Sequence, residues 1–275
     1  MSPWLHHPWT RVAPRAVAAF LAVGALAFGV PANSVAAPFA RSLSTDRPDQ
    51  TESPYTVEPG RWQVELQAVS FGGDAAEDVS SSQWMGVNVK AGIARRLDLQ
   101  IVTTGVLRAS AAGGGHDSGI GDLMARLKWN LMGNDDPGPA VALMPFVTWP
   151  TGASAFTAHE VEGGLIAAAA FPLGAPWGLG AMVQGDWKGD GDGDGTHAEW
   201  LLTATLNRPI AGPLGGFVEH VHRFRPSAEG EREGYVDVGA TYGLGPDAQL
   251  DMGMQWGLTD ASEDWRVLLG FSIRR

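Results

Sequence analysis

From about residue 60 to the C-terminus, apolar and polar side chains alternate in short runs separated by turn residues. Trp62, Val64, Leu66 and Ala68 alternate with Gln63, Glu65 and Gln67. Met85, Val87, Val89, Ala91 and Ile93 alternate with Gly86, Asn88, Lys90 and Gly92. Leu123, Ala125, Leu127, Trp129 and Leu131 alternate with Asp122, Arg126, Lys128 and Asn130, and the C-terminal third repeats the pattern through Phe271 and Ile273. Successive side chains of a strand point to opposite faces, so each run has one greasy and one hydrophilic face. Twelve segments are legible: 60–70, 83–93, 96–108, 119–132, 139–149, 159–171, 177–187, 197–207, 214–224, 234–244, 248–258 and 264–274. Those at 139–149 and 214–224 alternate poorly, and Pro145 suits a strand interior badly. An even number of roughly 11-residue segments predicts an all-β chain, an antiparallel up-and-down transmembrane β-barrel of about 12 strands.

The hydrophilic face carries Gly, Asn, Gln, Thr and scattered charges, which suits a wet lumen better than the outside of a soluble sandwich. Gln63, Glu65, Gln67, Asn88, Lys90, Arg126 and Lys128 are the expected lumen lining. All nine tryptophans after residue 36 fall in or beside the segments, mostly near an end. Trp62, Trp129 and Trp177 would mark one membrane interface, and Trp84, Trp149, Trp187, Trp200, Trp256 and Trp265 the other. Trp84 falls on the polar face in this phase, so either it lines the lumen or the register slips there. Alternate connections are generally longer, which places them outside the cell and the short ones in the periplasm.

The N-terminus has a different texture. Arg11 and Arg15 precede an apolar run, Ala16–Val30, then Pro31, Asn33 and the small residues around Ser34-Val35-Ala36. This order is that of a cleaved export signal, and the run is too short to span a bilayer as a helix. The expected layout is a signal at 1–36, an extension at 37–59 that forms a plug or rim segment, and a barrel at 60–275. Loss of the signal removes two arginines and no acids, taking the formal charge from -11 to -13. That charge argues against nucleic-acid binding. Cysteine is absent, so there is no disulfide, thiolate metal site or cysteine nucleophile.

The stretch Ser44-Thr45-Asp46-Arg47-Pro48-Asp49-Gln50-Thr51-Glu52-Ser53-Pro54-Tyr55-Thr56-Val57, followed by Pro59-Gly60, resembles the opening of the outer-membrane β-barrel "transporter" family named "Putative MetA-pathway of phenol degradation". Pro145-Phe146-Val147-Thr148-Trp149-Pro150-Thr151-Gly152 is similar to an internal stretch of that family, and the resemblance covers about 44–275. It implies a bacterial outer-membrane location and a role in moving hydrophobic or aromatic compounds. The chain departs from barrel custom at Phe271-Ser272-Ile273-Arg274-Arg275, which lacks a terminal aromatic residue for the barrel assembly machinery.

Pro48 and Pro54 keep the opening stretch out of a regular ladder. As a plug, its Asp46, Arg47, Asp49 and Glu52 would pair with lumen charges such as Arg126, Lys128 and Glu65; as a linker they would be solvated. Asp190, Asp192 and Asp194 alternate with glycine in the 188–196 loop and could converge on Ca²⁺ or meet lipopolysaccharide phosphates, although no bidentate Glu follows at EF-hand distance. His220 and His222 share a strand face, with no third ligand in view. No nucleophile, base and orienting group can be read from spacing. The expected function is a passive channel or facilitator for small, hydrophobic or aromatic solutes, with no resident cofactor. Its partners would be outer-membrane lipid, lipopolysaccharide, the solute and the assembly machinery. A structural or adhesive barrel and a membrane-embedded lipid-acting enzyme are the alternatives.

Overall fold

The structure, a computed structural model, describes residues 41–190, 195–226 and 232–275. The expected export signal lies outside the described residues. Fourteen strands follow in order: β1 (Trp62–Asp74), β2 (Val79–Ala94), β3 (Leu97–Thr103), β4 (Val106–Ala111), β5 (Gly115–Ile120), β6 (Leu123–Met132), β7 (Ala140–Trp149), β8 (Glu162–Gly174), β9 (Trp177–Gly189), β10 (Thr196–Ala211), β11 (Leu214–Phe224), β12 (Arg232–Gly245), β13 (Ala248–Gly257) and β14 (Trp265–Arg274). Every pairing is antiparallel, and β1 pairs with both β2 and β14, which closes a barrel. Twelve strands form the wall. Closure leaves no sheet edge to face lipid, where each unpaired backbone group would cost several kcal/mol.

The two remaining strands are outgrowths of the wall. β3 and β4 both pair with β2, and β4 and β5 continue the β3–β6 ladder as a hairpin. The expected segments 96–108 and 119–132 are therefore each interrupted. Gly105, at φ 71°, makes the first break, and a Cβ there would fall on the carbonyl oxygens of Trp84 and Met85. Opposite it, the Gly121 N–H donates to the Gly105 carbonyl. The first connection is also shorter than expected, because β1 and β2 run on to Asp74 and Val79.

Burial runs opposite to that of a water-soluble protein. Trp129, Leu165, Val183, Met252 and Leu269 are exposed on the outside, while Gln63, Glu65, Lys90, Gln100, Arg126 and Lys128 are buried inside. The register does slip at Trp84. Met85 adopts φ 58° and the β1 ladder shifts between Gln67 and Val69, so Trp84 turns outward and meets Phe71 edge-on. Such bulges reset the in/out phase. Trp129 and Trp177 lie exposed toward one end of the wall; Trp149, Trp187, Trp200, Trp256 and Trp265 do so toward the other.

The two poorly alternating segments have separate causes. β7 is apolar on both faces: Ala142, Met144 and Phe146 point in, and Leu143, Pro145 and Val147 point out. Pro145 has no N–H, and the β6–β7 ladder lacks paired residues between Arg126/Phe146 and Trp129/Leu143. In β11 the pattern is inverted by His220 and His222, which lie on the outward face with Val218, while Glu219 and Val221 point in.

A plugged lumen as candidate solute pathway

Residues 41–59 enter the barrel from the end with the short turns, double back, and leave beside their point of entry. The loop is pinched at its neck, where Arg41 donates to the Thr56 carbonyl and its own N–H to Glu58, and Ser44 meets Ser53. Gly92 gives the outgoing chain its passage, since a Cβ there would lie 2.0 Å from the Glu58 carbonyl oxygen.

An irregular segment must find partners for its backbone N–H groups, and here the wall's side chains supply them. Asp46 N–H donates to Glu65, Gln50 and Thr51 to Glu219, Thr56 to Asn134, and Val57 to Asp98. Asn130 donates to the Pro54 carbonyl, and the Thr51 and Thr203 hydroxyls meet at 2.6 Å.

Charge fixes the tip. The Asp46 carboxylate takes Lys90 at 2.5 Å, Lys128 at 2.7 Å and Arg126 at 3.2 Å. Glu52 takes both terminal nitrogens of Arg126, and Lys90 also contacts Glu65. On the far wall Arg47 reaches Asp251 at 2.9 Å and Gln67 at 3.1 Å. At the turn end, Arg41 pairs with Asp135, and Arg274 with Glu58 and Asp247. Hydrogen bonds from Arg41 and Arg95 hold the Asp135 carboxyl below the usual range. Partial burial works to raise Asp247, but the guanidinium donors of Arg274 and Arg61 outweigh it and hold that carboxyl low as well.

All seven expected lining residues face inward, and they bracket the plug rather than an open passage. Of the four expected plug charges, Asp46, Arg47 and Glu52 form ion pairs. Asp49 instead lies beside Glu219, whose direct cross-strand partner is Asp237. The Asp190 carboxylate accepts from His197 Nδ1 at 2.6 Å, while Asp192 and Asp194 lie outside the described residues. Among the described residues no three His, Cys, Asp or Glu side chains are grouped to hold a metal. His222 stacks on Phe224, outside the lumen.

Two features lie beyond the expected site residues. Glu219, Asp98, Asn130 and Asn134 of the wall are as much part of the plug seat as those residues. The second is an apolar patch inside the wall: Met144, Phe146, Ile166, Ala168, Met182, Leu201, Val221 and Tyr235, with Met124 packed against it. Its signal was the doubly apolar run at 139–149. The plug covers part of this patch, with the Glu52 N–H 3.5 Å from Met182 Sδ. A cavity of about 770 Å³ opens toward the long-loop end, floored by Asp46–Gln50, and one of about 570 Å³ opens toward the turn end beside Tyr55–Val57. Asp122 accepts the N–H groups of Gly152 and Ala158, which folds the β7–β8 loop over the first cavity and sets Phe156 in its wall.

The fold has relatives among solved structures. The COG4313 outer membrane channel from Pseudomonas putida F1 is 18% identical, with a TM-score of 0.57, over 84% of this chain and 100% of that one. The NanC porin is 9% identical at a TM-score of 0.53, over 76% of this chain and 98% of that one. The KdgM porin, in complex with disordered oligogalacturonate, is 7% identical at 0.51, over 77% and 98%. The architecture is thus that of a bacterial outer-membrane barrel. No curated protein sequence matches. The family model described as "Putative MetA-pathway of phenol degradation" matches residues 45–274, which take in all but the first four residues of the plug and every strand of the barrel, and the chain belongs to that family.

Proposed function

We propose that the protein is a passive outer-membrane channel for small hydrophobic or aromatic solutes, gated by residues 41–59. The observation that carries this reading is the apolar patch on the inner wall, beneath a segment held mainly by polar and ionic contacts. A purely structural barrel gains nothing from lining its lumen with Met144, Phe146 and Met182. Hydrogen bonds and ion pairs exchange readily with water, so such a plug can leave its seat without unfolding the wall. The names of the three solved relatives, an outer membrane channel and two porins, support the same class. The turn end then faces the periplasm, and the 770 Å³ vestibule faces outward to collect solute. Movement is down a gradient. Export by a cleaved signal and insertion by the assembly machinery complete the reading, with lipid and lipopolysaccharide around the wall.

Liposome swelling with the mature chain tests it. Small aromatic solutes are expected to enter faster than sugars of similar size. Equal exclusion of every solute, with the barrel shown to be inserted, would overturn the channel reading.

A further inference from the structure

The inner wall changes character between β6 and β7. On β6, Arg126 and Lys128 point into the lumen; on β7, Phe146 is the direct register partner of Arg126, and Met144 follows on the same face. Arg126 and Phe146 are therefore cross-strand neighbours on the inner face, and Lys128 and Met144 lie further along the same face of their strands. Glu52 of the plug sits across this boundary. Its carboxylate is gripped by both terminal nitrogens of Arg126, and its backbone lies over Met182 of the apolar patch. An Arg fork is suited to a planar carboxylate held bidentately, and a desolvated Arg holds it more strongly than water would allow.

We infer that the place Glu52 occupies is a binding site for a small aromatic carboxylate of benzoate size. The solute's carboxylate takes Arg126, with Lys128 as the second cation, and its ring lies on Phe146, Met144 and Met182. The plug is then a tethered competitor, and an arriving aromatic acid displaces it by offering the same carboxylate with a better apolar body. A neutral aromatic loses the charged grip, and acetate loses the ring contacts. This inference rests on the reading that the plug leaves its seat, and it names the substrate class of that same pathway.

The test is equilibrium binding of radiolabelled benzoate to the mature chain in detergent, in wild type and in Glu52→Gln. Acetate and benzyl alcohol serve as competitors. Weakening the tethered competitor should tighten benzoate binding by about tenfold or more, and benzoate should outcompete either analogue by a similar factor. Asp46→Asn loosens the same tip through Lys128 and Lys90 and should move binding in the same direction, should Glu52→Gln fail to assemble. Phe146→Ala, placed in the Glu52→Gln background, should reduce the preference for benzoate over acetate. Equal affinity for the three compounds, or no gain in either plug variant, would overturn the inference. Flux separates the two levels. Liposomes permeable to aromatic alcohols and acids alike would refute this site and leave the channel, whereas selective binding in an impermeable barrel would keep the site and refute the channel.

Discussion

Single side chains decide whether the plug stays. Glu219 accepts two backbone N–H groups and the Thr51 hydroxyl, and the residue is almost fully buried. Glu219→Ala strands those donors, at a cost of about 1–3 kcal/mol for a buried unsatisfied group. The barrel should survive and the plug should loosen, read as a higher open probability in planar bilayers. Gly92→Ala acts from the opposite end. Its methyl would meet backbone, not a movable side chain, so the outgoing limb at Glu58 must shift. Faster trypsin cleavage after Arg41, whose N–H is held by Glu58, with the wall still resistant, is the expected result. Opposite the plug's basic anchors, Asp49 remains without an ion pair among the described residues, beside two acids of the wall.

At the scale of the element, the plug is latched at its neck by carboxylates that titrate. Asp135 and Asp247 both have folded pKa values below the ordinary 3.8. A carboxyl depressed in this way contributes stability that is present above its ordinary value and lost as pH falls through the folded one. The neck should therefore hold at neutral pH and open in acid below about pH 4, and Asp135→Asn should abolish part of that acid response in current recordings. The strands themselves were largely legible in the sequence, because a two-residue period shows wherever one face is wet and the other greasy. Pattern reading weakened where the lumen is itself apolar, at Met144 and Phe146, and where polar side chains face out, at His220. Nor could alternation anticipate the Gly105 break, which depends on backbone conformation. The plug charges and their partners Arg126 and Lys128 were recognisable, but the share each takes was not: Asp46 takes three cations while Asp49 takes none, an outcome of how the loop turns inside the wall.

The whole molecule inverts the usual burial, with an apolar outer face and a mixed polar and apolar lumen within. Val183 is outward at mid-strand, so Val183→Arg places a charge in lipid and should cost about 2–4 kcal/mol in urea-monitored folding into vesicles. An inward change such as Gln184→Arg should cost much less. The same construction makes the plug a removable part, since the wall closes through β1 and β14 without it. The absence of cysteine allows this to be tested with one engineered cross-link. Thr51 of the plug and Thr203 of β10 meet side chain to side chain, and the Thr51→Cys, Thr203→Cys pair should form a disulfide. In planar bilayers the oxidised protein should be silent and the reduced protein should conduct, reversibly. Equal currents in both states, with the cross-link verified, would contradict a channel gated by its N-terminal segment.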